Sequence, residues 1–349
     1  MAGKVDRKDV RDYYGKVLKT KEDLKTSACC SADSQPRYIR EIMGQLDDEI
    51  LSRFYGCGSP IPPALAGCTV LDLGCGTGRD VFILSKLVGE KGRVIGVDMT
   101  DEQLEVANRH RDSMAKKFGF AKSNVVFKKG YIEELDTLGI ADESIDVVVS
   151  NCVVNLSFNK QKLLSEIFRV LKPGGELYFS DVFTSRRIPA ELKDDPVLIG
   201  ECIAGAFYTE DFRRAMAAAG CPDVRIVSSR EIAIHDPDVK NKIGMTRLYS
   251  QTVRAFKLAS LEDRCEDFGQ HATYLGTISE EPLCFSLDDH HCLEKGRPML
   301  VCGNTAAMLG ETRFAKHFRV EGDRRIHYGL FDCAPAVAPD GTCVGGGCC

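Results

Sequence analysis

The 349-residue chain contains no tryptophan, no CxxC pair, no HExxH and no regular cysteine–histidine spacing. Lack of tryptophan alone excludes no function. The missing spacings leave a structural zinc site or a zinc-peptidase centre without support. Positive charge is not in excess either: 46 Lys and Arg face 51 Asp and Glu, for a net charge of −5. No basic run is long enough to track a phosphate backbone, so no nucleic-acid partner is expected. No apolar stretch approaches the ~18 residues of a membrane span, and the opening MAGKVDRKDVRDYY lacks the apolar core of a secretory signal. No internal repeat or long apolar seam is present. The expectation is a cytoplasmic protein with no membrane partner, working as a monomer.

What is abundant is cysteine, with 16 residues. In a reducing compartment, paired cysteines are usually catalytic or bind metals and metalloids. A disulfide-stapled secreted scaffold does not suit a chain of this length. Hydrophobic residues make up 44% and charged residues 28%, enough for a globular core. At roughly 100–200 residues per domain, there is room for about two domains.

Apolar residues recur at helical spacing from Asp9 to Val17 and from Pro36 to Phe54, which marks 1–68 as an N-terminal helical segment. It closes with the proline-rich SPIPPALAG, Ser59 to Gly67. Strands and helices then alternate. Strands are expected at Thr69–Leu73, Arg93–Asp98, Val125–Lys129, Ile145–Ser150 and Glu176–Asp181, with helices at Arg79–Val88, Asp101–Phe118 and Lys160–Leu171. Such alternation implies an α/β fold: a doubly wound, mainly parallel sheet over 69–182, covered on both faces. In 183–258, Pro189 to Ala219 reads as mostly helical, and Val224–Ile234 and Leu248–Leu258 as antiparallel strands. Residues 259–332 form a smaller C-terminal domain with no catalytic phrase, expected to stabilise the protein or close its site. The Cys-, Pro- and Gly-rich 333–349 is expected to be a flexible tail.

The most informative local signal is Val70-Leu-Asp-Leu-Gly-Cys-Gly-Thr-Gly78, an apolar strand running into glycines at 74, 76 and 78 and then a helix. Glycine permits a tight turn and close backbone approach to a ligand. The spacing is GxGxG, not the GxGxxG of dinucleotide binding. A second strand, Val94-Ile-Gly-Val-Asp98, ends in a carboxylate. At the carboxyl edge of such a sheet, that acid can accept hydrogen bonds from two ribose hydroxyls.

This order of elements, with Lys172-Pro-Gly-Gly before the fifth strand, resembles the class I S-adenosylmethionine-dependent methyltransferases, whose Rossmann-like sheet has seven strands. The resemblance implies S-adenosylmethionine as cofactor. It places Asp72, Gly74, Cys75, Gly76 and Asp98 around the cofactor, Met99 beside the adenine, and Ile132 and Glu133 near the base, with Asn151 at the end of the fourth strand. Cys75 is read as a small loop residue.

Three cysteine contexts are more specific: Cys57 in YGCGSPIP, Cys152 in SNCVVNL and Cys202 in GECIAGA. Together with GVDMT and KPGGELYFSDV they resemble the arsenite methyltransferases, from Tyr13 to about residue 258. The resemblance implies arsenite and methylated arsenicals as substrates, and Cys152, Cys202 and Cys57 as arsenic(III) ligands. Alignment on LKTSAC selects Cys29 as a further functional thiol, although Cys30 stands beside it. Tyr55 is placed near the sulfonium methyl. Cys57 with Cys152 is the candidate redox pair, reset by thioredoxin or glutathione. Trivalent arsenic is soft and prefers thiolates, by the argument that sends soft metals to cysteine. Cys68, Cys221, Cys265, Cys284, Cys292, Cys302 and Cys333 read as small buried hydrophobes, and His290-His291-Cys292 reads as a surface loop. Two other functions remain open: a methyltransferase for a small organic acceptor, and a non-catalytic arsenic- or metal-binding protein.

Overall fold

The computed structural model describes residues 35–52, 56, 58–195, 198–199 and 202–332, together with the backbone of 336–337 and 343–344. The helix expected over Asp9–Val17 lies outside the described residues. Instead of one helix from Pro36 onward there are two, α1 (Arg37–Met43) and α2 (Asp48–Ser52), because the chain turns at Gly44, whose N–H returns to Arg40 O at 2.9 Å. Ile39, Ile42 and Ile50 are buried in one cluster with Val81 and Leu84 of the next helix.

The α/β alternation follows: β1 (Thr69–Leu73), α3 (Arg79–Val88), β2 (Arg93–Asp98), α4 (Asp101–Lys117), β3 (Val125–Lys129), β4 (Ile145–Asn151), α5 (Lys160–Val170) and β5 (Leu171–Thr184). The strand cores are apolar on both faces, with Val70, Leu71 and Leu73 of β1 all fully buried, as a sheet layered between helices requires. The strand β5 starts earlier than the expected Glu176 and contains the Lys-Pro-Gly-Gly segment. A register shift between Ile145 and Val147 of β4 accommodates the extra residues.

Between β5 and Phe207 the described residues carry a 3₁₀ turn (Ala190–Leu192), helical residues at 198–199 and turns. A two-residue strand β6 (Phe207–Tyr208) pairs with the end of β5, and the helix α6 (Thr209–Ala218) begins only after it. Next come β7 (Val224–Ile232), α7 (Pro237–Ile243) and β8 (Leu248–Phe256). The sheet order is β3-β2-β1-β4-β5-β8-β7, seven strands with β6 off the path. The strands from β3 to β5 are parallel, and β8 runs antiparallel to both β5 and β7.

The C-terminal region adds β9 (Glu266–Asp267), β10 (Gln270–Tyr274), the hairpin β11 (Cys284–Ser286) and β12 (Cys292–Glu294), β13 (Pro298–Val301), α8 (Gly303–Gly310), β14 (Phe318–Glu321) and β15 (Gly329–Leu330). Its centre is aromatic: Phe285 lies 4.8 Å from Phe314 and 5.1 Å from Phe318, ring centre to ring centre. This region docks on the starting half of β5 and the finishing end of β8, which runs antiparallel to it. There the buried Glu176 accepts from Arg254 at 2.5 Å and pairs with Arg313, while Arg254 also donates to Leu287 O at 2.5 Å. Glu176 is opposite Val147, and Ser180 is opposite Asn151, so the docking lies at the end of the strands away from the glycine loop. Of the two roles expected for this region, these contacts support stabilisation.

The reading of His290-His291-Cys292 as a surface loop is corrected at His291 alone, since His290 and Cys292 are exposed. His291 is fully buried, with Nδ1 2.7 Å from both Asp288 oxygens and Nε2 3.2 Å from Thr305 Oγ1. The paired carboxylate and hydroxyl offset the cost of burying an imidazole. Among the described residues no helix is long and apolar enough to cross a membrane. Of the tail, only the backbone pairing of Ala336–Val337 with Cys343–Val344 is described.

Candidate active site

The glycines after β1 all adopt left-handed backbone, with φ of +73° at Gly74, +52° at Gly76 and +87° at Gly78. Only glycine takes this conformation at little cost. A Cβ at Gly74 would collide with the side chain of Val153, so the loop lies directly against the residue after Cys152. The N–H groups of Gly74 and Cys75 donate to Val97 O at 2.8 and 3.0 Å. One Asp98 oxygen accepts from Gly76 N at 2.9 Å and the other from Thr100 N at 2.8 Å. Asp98 is therefore held at the lip of the loop, at the end of β2. Burial raises its pKa, opposed by the N–H groups of Gly76 and Thr100.

Two more buried carboxylates share this lip. Asp80 accepts from Arg79 Nε at 2.8 Å and from Asn151 Nδ2 at 3.0 Å. Burial, followed by the charges of Asp80 and Asp98, pushes Asp72 well above the ordinary carboxylate value, with Arg79 opposing. Three acids against one guanidinium make a pocket that favours a cation. Asn151 also clasps Gly58, donating to its carbonyl at 3.0 Å and accepting its N–H at 3.3 Å.

The remaining expected cofactor residues lie around the same edge. Met99 is half-buried beside Asp98, and Ile132 and Glu133 are buried in the turn after β3. Gly130 N–H donates to Asp98 O at 2.9 Å, and Glu133 accepts from Ser157 Oγ at 2.8 Å, tying that turn to the loop after β4. The Cys75 thiol touches the site of a Cβ on Gly96 and is pushed well above its ordinary pKa by burial and by Asp98 and Asp72. It remains protonated and packed. Tyr55, Cys57, Cys29 and Cys30 lie outside the described residues.

Cys152 follows Asn151 at the carboxyl end of β4, and its N–H donates to Ser180 O at 2.8 Å. Cys202 comes from the segment between β5 and β6, and its thiol donates to Cys152 O across 3.8 Å. Both cysteines are buried, in one cluster with Val182, Leu198 and Ile203. Both have positive φ, +57° at Cys152 and +58° at Cys202. Side-chain-bearing residues adopt that conformation at a cost, of order 1–3 kcal/mol, that folded proteins retain mainly at functional sites. Cys152 is disulfide-bonded.

Sequence reasoning did not find Asp181. This carboxylate, fully buried in β5, accepts from Asn155 N at 3.0 Å, Asn155 Nδ2 at 2.7 Å and Val182 N at 2.8 Å. It fixes the 3₁₀ turn Val154–Leu156 that follows Cys152. The available signal was an acid between apolar residues near the carboxyl end of the strand, Phe179-Ser-Asp-Val-Phe183. Burial pushes its pKa up to about 7, against the pull of those donors and of Lys160. Because the folded value exceeds the unfolded one, Asp181 stabilises the fold most below the ordinary carboxylate range, and that contribution is lost as pH rises through about 7. The stability of the wild type relative to D181N should therefore fall between roughly pH 4 and pH 7 and then level off. Thermal unfolding across pH measures this, and a pH-independent difference would contradict it.

A cleft of 440 Å³ is bordered by Lys160, Arg187, Ile188, Ile199, Phe207 and Tyr208. Lys160 Nζ lies 5.3 Å from the centre of the Phe207 ring, and burial lowers its pKa.

A family model described as a methyltransferase domain matches residues 65–220. Over 323 residues the chain is 52% identical to the arsenite methyltransferase of Aquipseudomonas alcaligenes, an alignment spanning 93% of each protein. The chain belongs to the arsenite methyltransferase family. It is also 43% identical over 317 residues to the arsenite methyltransferase of Homo sapiens, covering 90% of this chain and 83% of that one. The crystal structure of an arsenic (III) S-adenosylmethionine methyltransferase from Chlamydomonas reinhardtii matches with a TM-score of 0.84 at 50% identity, covering 86% of this chain and 100% of that chain. The fold is that of the class I methyltransferases, with S-adenosylmethionine as cofactor. The site fits that cofactor on its own chemistry: a cradle without Cβ atoms, an acid held at its lip by backbone N–H groups, and three buried carboxyl groups whose ionisation a cationic ligand would favour.

Proposed function

We propose that the chain methylates trivalent arsenic held by Cys152, Cys202 and Cys57, with Cys29 or Cys30 as a further ligand or disulfide partner. The observation that carries this reading is the approach of the Cys202 thiol to the backbone of Cys152, one residue from the Val153 side chain that packs on the glycine loop.

Each thiol that joins arsenic displaces a hydroxyl as water. Three sulfurs leave arsenic a pyramid with one lone pair, and the buried cysteines aim that pair toward the glycine loop. The bound cofactor supplies an electrophilic methyl group. Because the nucleophile is a lone pair and not an O–H or N–H group, no general base is required. The acids at 72, 80 and 98 bind and orient, while the apolar cluster around Cys202 excludes water. Asn155 and Asp181 hold the turn that presents Cys152.

Transfer takes arsenic formally to the pentavalent state. Its return to trivalent needs two electrons, which two thiols supply by forming a disulfide. Cys57 with Cys152 is the proposed pair: Cys152 is disulfide-bonded in the structure, and Gly58, next to Cys57, is held by Asn151, next to Cys152. Thioredoxin or glutathione then resets the pair by exchange. Repetition gives mono-, di- and trimethylated arsenicals. Incubation with S-adenosylmethionine, arsenite and a thiol, followed by separation of the arsenic species, tests the reading. Methylated arsenic is expected, and its absence from folded, cofactor-binding protein would overturn the proposal.

D98A should weaken S-adenosylmethionine binding roughly 10–100-fold, the loss of two hydrogen bonds to a charged group, and leave arsenite binding within about 2-fold. Calorimetric titration of each ligand separates the two, and unchanged cofactor affinity would remove Asp98 from the ribose.

A further inference from the structure

The hairpin of β11 and β12 carries a second pair of thiols. Cys284 is opposite Glu294 and Ser286 is opposite Cys292, so the two cysteines are diagonal neighbours on one face. Phe285 and Leu293 point inward and are fully buried, while Cys284 and Cys292 are exposed free thiols. Cys292 lies close enough to Cys284 to raise its pKa. The hairpin is stiff. Leu287 N–H donates to His291 O and Lys295 N–H to Leu283 O, each at 2.9 Å, and Asp288 accepts the N–H groups of His290 and His291 at 2.9 and 2.7 Å.

We propose that Cys284 and Cys292 form a separate surface site for trivalent arsenicals that carry at least two exchangeable oxygens, namely arsenite and the monomethylated species, and that this site rejects the dimethylated one. In the binding step two As–S bonds form and two As–O bonds break. The two thiol protons leave with the two hydroxyls as water, and arsenic stays trivalent, so no oxidant or reductant is needed. Partial burial, then the neighbouring Cys292, Glu281 and Glu294, raise the Cys284 pKa, so the thiol brings its own proton. Diagonal strand neighbours sit about 7–8 Å apart at Cα, beyond the roughly 4.4–6.8 Å usual for a disulfide. An arsenic bridge inserts an atom between the sulfurs and spans the wider gap. A preformed hairpin also spares the cost of ordering the two thiols. The site's place in the enzyme rests on the arsenic reading above, although its chemistry does not involve Cys152 or Cys202.

The test uses the full chain, reduced, with iodoacetamide labelling of single cysteines read by peptide mass spectrometry. Methylarsonous acid should protect Cys284 and Cys292 with one shared midpoint, and dimethylarsinous acid should protect neither over that range. C284S should raise the midpoint at Cys292 by ~100-fold, the loss of an intramolecular second contact. An unchanged midpoint at Cys292 in C284S, or equal protection by the dimethylated compound, overturns the site. Cys202 is read in the same digest: protection there without protection at 284 and 292 sinks this proposal alone, and the reverse pattern sinks only the catalytic assignment.

Discussion

Replacement of Cys202 by Ser is expected to lower arsenic methylation by more than ~10³-fold while leaving S-adenosylmethionine affinity within about 2-fold. The change removes one soft ligand and substitutes a hard hydroxyl of similar size, which trivalent arsenic does not favour. Cys202 is buried with Cys152 in an apolar cluster separate from the one that holds Cys75 of the glycine loop, so the cofactor pocket should survive. C152S should behave alike. Product separation after a timed incubation gives the rate, and calorimetry gives the cofactor affinity. A small organic acceptor would still be methylated by either variant, and retention of arsenic methylation would remove these cysteines from the reaction.

The second large effect is expected far from the chemistry. E176Q keeps the shape of the side chain but leaves Arg254 and Arg313 without their buried counter-charge. Removing one partner of a buried ion pair typically costs about 3–5 kcal/mol. Here the pair also seats the C-terminal region, since Arg254 reaches Leu287 O. Denaturant unfolding should show a loss of that size, with loss of the C-terminal region's protection from proteolysis. Loss below about 1 kcal/mol would mean that the docking depends on the aromatic cluster of Phe285, Phe314 and Phe318 instead.

The strands β1 to β4 were legible because each is a short apolar run bounded by glycine or charge, and the GxGxG loop fixes the hand-over from strand to helix. Asp98 was legible because the carboxyl edge of a parallel sheet gathers ligand-facing residues. The convergence of Cys152 and Cys202 was legible only through resemblance, because no local pattern links positions 50 residues apart. Residues 189–206 have helix-compatible side chains, yet the chain there turns through positive φ at Cys202, which tertiary contact imposes and propensity does not report. The Glu176–Arg254 pair spans 78 residues and has no periodic signature. His291 looked exposed among Asp and His neighbours, until Asp288 and Thr305 supplied partners that make its burial tolerable. The pairing of Cys284 with Cys292 was hidden because the intervening Leu-Asp-Asp-His-His stretch lacks the Gly or Asn that usually marks a hairpin.

The central claim is that Cys152 and Cys202 grip the same arsenic atom. Crystals of the reduced protein soaked in arsenite, examined by anomalous scattering at the arsenic edge, test it most directly. The account predicts a peak within bonding distance of both sulfurs, on the glycine-loop side. A peak bound to only one of them, or none in that cavity while arsenic occupies other thiols, would contradict it.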